Sequence, residues 1–284
     1  MSVGTAGLVD LPQSYRLLLC DIWGCVHDGV HLFPGAEALM LAWRRQGRIV
    51  LLITNAPRPA SAVQAQLDRL GLDRESHDAI VTSGDTGLAA LRAEGRSQAG
   101  FIGTAADRRI IEQTGFRLAD GPVGDAVICT GLVDGALDAA AHDEALKAML
   151  ARDARLLCFN PDRIVMRGGV AEPCAGVIAD RYAAMGGEVQ WFGKPYPAIY
   201  RRALEIGRAL ADAPIESDHV AAIGDSIATD FVGAAAAGFA FVFVTGGIEG
   251  ERVSEEGTDA LLARFAAERD VVLPRPLAVV PRLG

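Results

Sequence analysis

Leu17-Leu18-Leu19-Cys20-Asp21-Ile22-Trp23-Gly24-Cys25-Val26-His27-Asp28-Gly29 decides how the rest of the chain is read. Four apolar residues run without a break into an aspartate, and a glycine-punctuated turn follows. A short continuous apolar run suits a strand buried on both faces of a parallel sheet. In such sheets the functional groups stand just past the carboxyl ends of the strands.

The elements around that stretch repeat the pattern. A helical spacing follows over about 35–46, with Ala36, Leu39, Met40 and Trp43 on one face and Gly47 as its stop. Arg48–Ile53 is the next strand, Pro59–Leu70 a helix closed by Gly71, and Ala79–Val81 a third strand. The rhythm returns late in the chain. Val189–Phe192, Val220–Ile223 and Phe239–Val244 read as strands, with helices over 198–208 and 230–237. Between lie Gly100–Gly103, Ala126–Cys129 and Arg155–Phe159, a strand-and-helix rhythm of their own. The sequence predicts an α/β fold: a core with a parallel sheet, built from residues 1–83 and 189–284, with a smaller α/β domain inserted at 84–188.

Composition bounds the function. The chain has 284 residues, half of them hydrophobic and 22% charged, as in ordinary globular proteins. Lys plus Arg number 27 against 36 Asp plus Glu, a net charge of −9. With no basic cluster, this is a poor surface for nucleic acid or an anionic membrane. The five cysteines are spread out, with no CxxC pair, and read as reduced thiols of a cytoplasmic protein. No basic residue precedes Arg16, unlike a signal peptide. The stretch 231–248 lacks charge but is broken by Gly238, so it reads as a short helix and a strand rather than a membrane span.

Past the strand ends stand Asp21, then Thr54-Asn55-Ala56-Pro57-Arg58, then Gly193-Lys194-Pro195, then Gly224-Asp225-Ser226-Ile227-Ala228-Thr229-Asp230. Convergence of these segments sets carboxylates beside a hydroxyl, an amide and a lysine. Carboxylates crowded together repel, and a hard divalent cation such as Mg²⁺ relieves the repulsion. A phosphate could then bridge metal, lysine and hydroxyl, which points to phosphoryl chemistry.

These residues resemble the haloacid dehalogenase (HAD) superfamily, subclass IIA, the NagD-like and p-nitrophenyl-phosphatase-like branch. Its Asp-x-Asp-Gly-(Thr/Val) motif falls on Asp21 to Val26, its Thr-Asn pair on Thr54-Asn55, and its Gly-Lys-Pro on Gly193 to Pro195. Its Gly-Asp-x-x-x-Thr-Asp falls on Gly224 to Asp230, and Asn160-Pro161-Asp162 resembles the Asn-Pro-Asp of its C2-type cap. The resemblance implies a HAD-like Rossmannoid core with a C2-type cap. Asp21 becomes the nucleophile of an aspartyl-phosphate. Mg²⁺ is held by Asp21, Asp225 and the backbone carbonyl of Trp23. Thr54 and Asn55 grip the phosphoryl oxygens, Lys194 neutralises Asp21 and the phosphate, and Asp230 orients Lys194 or holds a metal-bound water. Arg58, Asp162, Arg163 and Arg167 are candidates to face the substrate, and Cys174-Ala175-Gly176 resembles the small-residue turn before a cap helix. Caps of this branch take part in dimers, so a homodimer is one implied assembly.

One position departs from the pattern. Where the family's phosphatases carry a second Asp as general acid/base, this chain has Trp23. An indole N–H cannot shuttle a proton. His27 or Asp28 could substitute. The reading is an Mg²⁺-dependent phosphatase of a small phosphorylated metabolite such as a sugar or nucleotide phosphate. The alternatives are a phosphotransferase of the same fold or a weakened phosphate-binding, regulatory protein. Cys20 and Cys25 read as packing residues, His31, His77, His142 and His219 as surface residues, and Leu273–Pro276 as a tail lying over the core or a flexible end.

Overall fold

The structure, a computed structural model, describes residues 8, 10–167 and 170–284, without the side chain of Arg167. In chain order its first half holds β1 (Leu17–Asp21), α1 (Ala36–Arg45), β2 (Ile49–Thr54), α2 (Ala60–Leu70), β3 (Ala79–Thr82), α3 (Ser83–Ala93), β4 (Gln98–Ile102), α4 (Ala105–Glu112), β5 (Arg117–Leu118), β6 (Ala126–Cys129) and α5 (Asp143–Leu150). Then come β7 (Arg155–Cys158), β8 (Ile164–Arg167), β9 (Val170–Pro173), α6 (Ala175–Ala184), β10 (Val189–Trp191), α7 (Pro197–Leu210), β11 (Val220–Gly224), α8 (Val232–Ala236), β12 (Ala240–Val244), α9 (Gly250–Glu256), α10 (Thr258–Arg269) and β13 (Ala278–Val280).

The chain forms two compact units. The first takes in residues up to Thr54, then Gln66–Val81 and Tyr200–Gly284; the second takes in Asn55–Ala65 and Thr82–Ile199. The first unit carries a six-stranded sheet of order β13-β12-β11-β1-β2-β3. Its central strands β1 and β11 are buried along their whole length, as continuous apolar runs require. α1 buries Ala36, Leu39, Met40 and Trp43, the helical stripe expected. From β1 the chain steps outward to β2 and β3 on one side, and from β11 to β12 and β13 on the other. The order therefore reverses between β1 and β11, which is where a doubly wound sheet opens its ligand crevice.

β13 is a strand the sequence reading misses. Beyond the run 273–276, Ala278–Val280 pairs in parallel with Val242–Val244 of β12.

The second unit carries a five-stranded sheet of order β10-β7-β6-β4-β5, in which every pairing is parallel. Alternation sorts its side chains onto two faces. Val127, Cys129, Leu156 and Cys158 pack with Leu146 and Met149 of α5 and Ile178 and Tyr182 of α6. Phe101, Ile128, Leu157 and Phe159 pack with Leu88 and Leu91 of α3 and Ile111 of α4. β8 and β9 form a separate antiparallel ribbon. The strand at 189–191 joins this sheet, pairing Val189–Trp191 with Leu156–Cys158, whereas its rhythm places it with the core strands. Three half-buried residues carry no signal of which sheet they complete.

Two histidines also differ from expectation. His77 and His142 are buried rather than on the surface. Burial, followed by the Arg44 guanidinium, lowers the pKa of His77, and burial lowers that of His142.

Candidate active site

Asp21 ends β1, and Asp225 directly follows β11. Cys20 pairs with Ile223, and Asp21 with Ile53 of β2, so Asp21, Thr54 and Asp225 lie near one level at the carboxyl edge. Asp21 is 6% exposed and Asp225 5%. Their carboxylate oxygens and the Cys25 sulfur lie within 4.8 Å of one another.

Backbone encloses Asp225 from two directions. A Cβ on Gly24 or on Gly247 would stand 1.9 Å from Asp225 Oδ2. Gly24 has φ of +79°, which glycine adopts without strain. The Ile248 N–H donates to Asp225 Oδ2 at 2.7 Å, fixing the carboxylate. Two buried carboxylates this close fit a hard divalent cation, which offsets their repulsion.

The segment after Asp21 folds into a tight flap. The N–H groups of Val26 and His27 donate to the Ile22 carbonyl, Gly24 N–H donates to the His27 carbonyl, and Phe33 N–H donates to the Val26 carbonyl. Trp23 is half-buried, its ring edge-on to His27 at 4.8 Å and its far edge against Gly29. His27 is buried, and its Nδ1 accepts the Gly29 N–H at 2.8 Å. Asp28 Oδ1 accepts the N–H groups of His31 and Val30. Those bonds hold its carboxyl below the usual range, which makes Asp28 a poor proton donor.

Asp230 lies in a π-helical turn, Ile227–Phe231, that precedes α8. It does not open the helix as a cap. Ser226 caps the π-helical turn, accepting the Thr229 N–H, while Asp230 Oδ2 accepts the Ser226 N–H at 3.2 Å. A Cβ at Gly224 would stand 2.2 Å from Asp230 Cγ, so the glycine before Asp225 makes room for this second carboxylate.

The second unit gathers Asn55, Asp162 and Lys194. Asn55 Nδ2 donates to Asp162 Oδ1 at 2.8 Å and to the Lys194 carbonyl at 3.1 Å, and Asn55 Oδ1 accepts the Lys194 N–H at 2.6 Å. One amide thus grips the lysine's backbone on both sides, and Lys194 itself is buried. Gly193 is required here, because its Cβ would stand 2.3 Å from Asn55 Oδ1. Gly176 likewise lets α6 start against the 160–162 turn, donating its N–H to the Asp162 carbonyl.

Arg58 and Arg163 are held by acids of the same unit. Arg58 Nε donates to Asp107 at 2.6 Å. Arg163 makes a two-pronged pair with Asp180, both contacts 2.9 Å, and lies over the Trp191 ring. The Arg167 side chain lies outside the described residues.

The sequence reading does not anticipate Cys25 beside the carboxylates, nor the loop 246–248 that holds Asp225. The tandem Gly246-Gly247 directly after a strand is the one signal that could have pointed to the loop.

Fold and carboxylates together define a doubly wound α/β protein with an acidic centre at its switch point. Comparison with known proteins gives the class its name. Residues 18–117 match a family model described as haloacid dehalogenase-like hydrolase, and residues 191–272 match one described as HAD-hydrolase-like. A haloacid dehalogenase-like family hydrolase from Brucella suis 1330 is 30% identical, with 97% of this chain and 98% of that one covered and a TM-score of 0.81. The 4-nitrophenylphosphatase of Thermotoga maritima is 22% identical over 98% and 97% of the chains, with a TM-score of 0.73. NagD of E. coli K-12 is 22% identical over 94% and 96%, with a TM-score of 0.70. No curated protein matches the chain. The chain belongs to the haloacid dehalogenase superfamily, and its fold, a six-stranded parallel core sheet with a separate five-stranded parallel sheet, is shared with NagD and the p-nitrophenylphosphatases. Among the described residues no helix is long and apolar enough to cross a membrane.

Proposed function

We propose that this protein is an Mg²⁺-dependent phosphatase of a small phosphorylated metabolite, such as a sugar or nucleotide phosphate. The observation that carries the reading is the buried Asp21–Asp225 pair at the β1/β11 switch point. Asp21 attacks phosphorus as the P–O bond to the substrate's leaving oxygen breaks, and water then attacks the aspartyl-phosphate, freeing inorganic phosphate and the Asp21 carboxylate. Asp21, Asp225 and the Trp23 carbonyl are the groups that would hold Mg²⁺. Bound there, the ion offsets the carboxylate charge and favours the approach of an anionic substrate. Thr54 contributes a hydroxyl to the phosphoryl oxygens. Lys194 supplies the positive charge that the transferring group needs. Asn55, whose amide is engaged with Lys194 and Asp162, holds that lysine's backbone in place. Asp230 helps to order the 224–231 segment and, by resemblance, Lys194.

Trp23 favours a second reading. No carboxyl stands at the position that gives the leaving group its proton, and a missing general acid/base costs about 10²–10⁴-fold in rate. Such a site works best on substrates with good leaving groups. Alternatively it passes its phosphoryl group to an acceptor other than water, or binds a phosphorylated ligand without turnover.

The test is phosphate release, with and without Mg²⁺, from aryl, acyl, sugar and nucleoside phosphates, with Asp21→Asn as the blank. Metal-dependent release above the blank supports the phosphatase. Release no greater than the blank across the panel overturns it in favour of transfer or binding.

A further inference from the structure

The Cys25 thiol is 1% exposed, and among the described residues it makes no hydrogen bond. Its sulfur nevertheless lies within 4.8 Å of carboxylate oxygens of both Asp21 and Asp225. The flap holds it there: Gly24 turns at φ +79° directly before it, and the Val26 N–H donates to the Ile22 carbonyl directly after it. A buried cysteine is ordinarily a small apolar filler. Here its polar atom stands against two acids instead.

We propose that Cys25 is a third protein ligand of this centre, which makes it a capture site for thiophilic divalent cations such as Zn²⁺ and Cd²⁺. The proposal rests on Asp21 and Asp225 being a cation site. Two carboxylate oxygens and one thiolate leave a position open, as in a three-ligand zinc centre. With Zn–S about 2.3 Å and Zn–O about 2.1 Å, ligand atoms of a tetrahedral site stand about 3.6 Å apart. The observed spacing closes onto an ion with shifts of about an ångström. On binding, the thiol proton leaves to solvent and the sulfur lone pair goes to the cation, whose charge makes that loss favourable. Mg²⁺ takes oxygen ligands and gains nothing from sulfur, so the thiol raises affinity for soft cations selectively. A thiophilic ion seated there occupies the ground on which Asp21 must meet phosphorus. Traces of zinc therefore act as an inhibitor that Mg²⁺ displaces poorly.

The experiment titrates the chelator-treated full chain with Cd²⁺ and with Zn²⁺, without substrate. Wild type should show one tight equivalent of Cd²⁺ and an ultraviolet thiolate-to-cadmium charge-transfer band. Cys25→Ser should lose the band and weaken Zn²⁺ binding about tenfold or more, narrowing the Zn²⁺ to Mg²⁺ preference by the same factor. Asp225→Asn should also lose the band although it keeps all five cysteines, which ties the band to this centre; circular dichroism confirms folding of each variant. Equal Zn²⁺ affinity in wild type and Cys25→Ser overturns the proposal, as does a band that survives either substitution. None of these readouts requires turnover, so a failed phosphatase assay leaves them intact. Loss of all divalent-cation binding in wild type, Mg²⁺ included, would instead remove the underlying metal site.

Discussion

Gly24 and Asp225 meet in a way that only glycine permits. Gly24 turns at φ +79°, and a Cβ there would stand 1.9 Å from Asp225 Oδ2. Gly24→Ala therefore incurs two costs, backbone strain of about 1–3 kcal/mol and displacement of the carboxylate. Gly47 provides the comparison, since it also has φ +79° but nothing lies within 4 Å of its Cβ position. Gly47→Ala should lower Tm through strain alone and keep Mg²⁺ binding. Gly24→Ala should lower Tm further and weaken Mg²⁺ binding at least tenfold. Equal effects of the two substitutions would show that Asp225 is not positioned by this contact.

In the proposed mechanism Asp21→Asn removes the attacking oxygen while it keeps the side-chain volume. Turnover should fall to background, with Tm unchanged or raised, because a charge beside Asp225 is lost. Undiminished phosphate release would remove Asp21 as the nucleophile.

In the proposed mechanism Trp23→Asp supplies the general acid/base that the site lacks. Hydrolysis of substrates with poor leaving groups should rise about 10²-fold or more, while an activated aryl phosphate gains little. The contrast between the two classes is the measurement. An unchanged or lower rate on both would mean that another group already moves the proton, and buried His27 beside the Trp23 ring is the first to substitute.

The strand–aspartate junctions were legible because they are local. Leu17–Asp21 and Val220–Asp225 each carry their own apolar run and their own terminal acid, and the two strands they end pair at the centre of the six-stranded sheet. What sequence could not show is set by tertiary placement. Ala278–Val280 is too short to declare itself a strand until β12 offers it an edge. Val189–Trp191 reads as a strand but not as a partner of β7. The Asn55 amide looks like a ligand group, and only the fold reveals it engaged with Lys194 and Asp162. Cys25 looks like filler until the flap turns it toward the acids.

That Asn55 clamp gives its own prediction. Asn55→Ala leaves the buried Lys194 N–H without its 2.6 Å partner and removes both donors. The cost should be about 1–3 kcal/mol in urea unfolding. Asn55→Asp keeps the acceptor for the Lys194 N–H but sets a carboxylate against Asp162, so it should rescue little. A neutral Asn55→Ala would show that the lysine is positioned by other contacts.

Histidine burial sets an acid limit on stability. His142 Nε2 accepts the Val133 N–H at 3.2 Å, a bond that only the neutral ring can accept. Its pKa and that of His77 are lowered from 6.5 in the fold. As pH falls below 6.5 the unfolded chain takes up these protons first. Stability is therefore present in full above that value and declines as pH drops toward the lowered folded values. The slope is at most about 1.4 kcal/mol per pH unit for each histidine. Unfolding measured from pH 7.5 to 5.5, above the ordinary range of carboxylate titration, should show the decline. His142→Gln retains a side-chain oxygen able to accept the Val133 N–H but cannot be protonated. It should flatten its share of the slope even if its stability at pH 7.5 is somewhat lower. A slope identical in wild type and His142→Gln would mean that the His142 ring accommodates its charge within the fold.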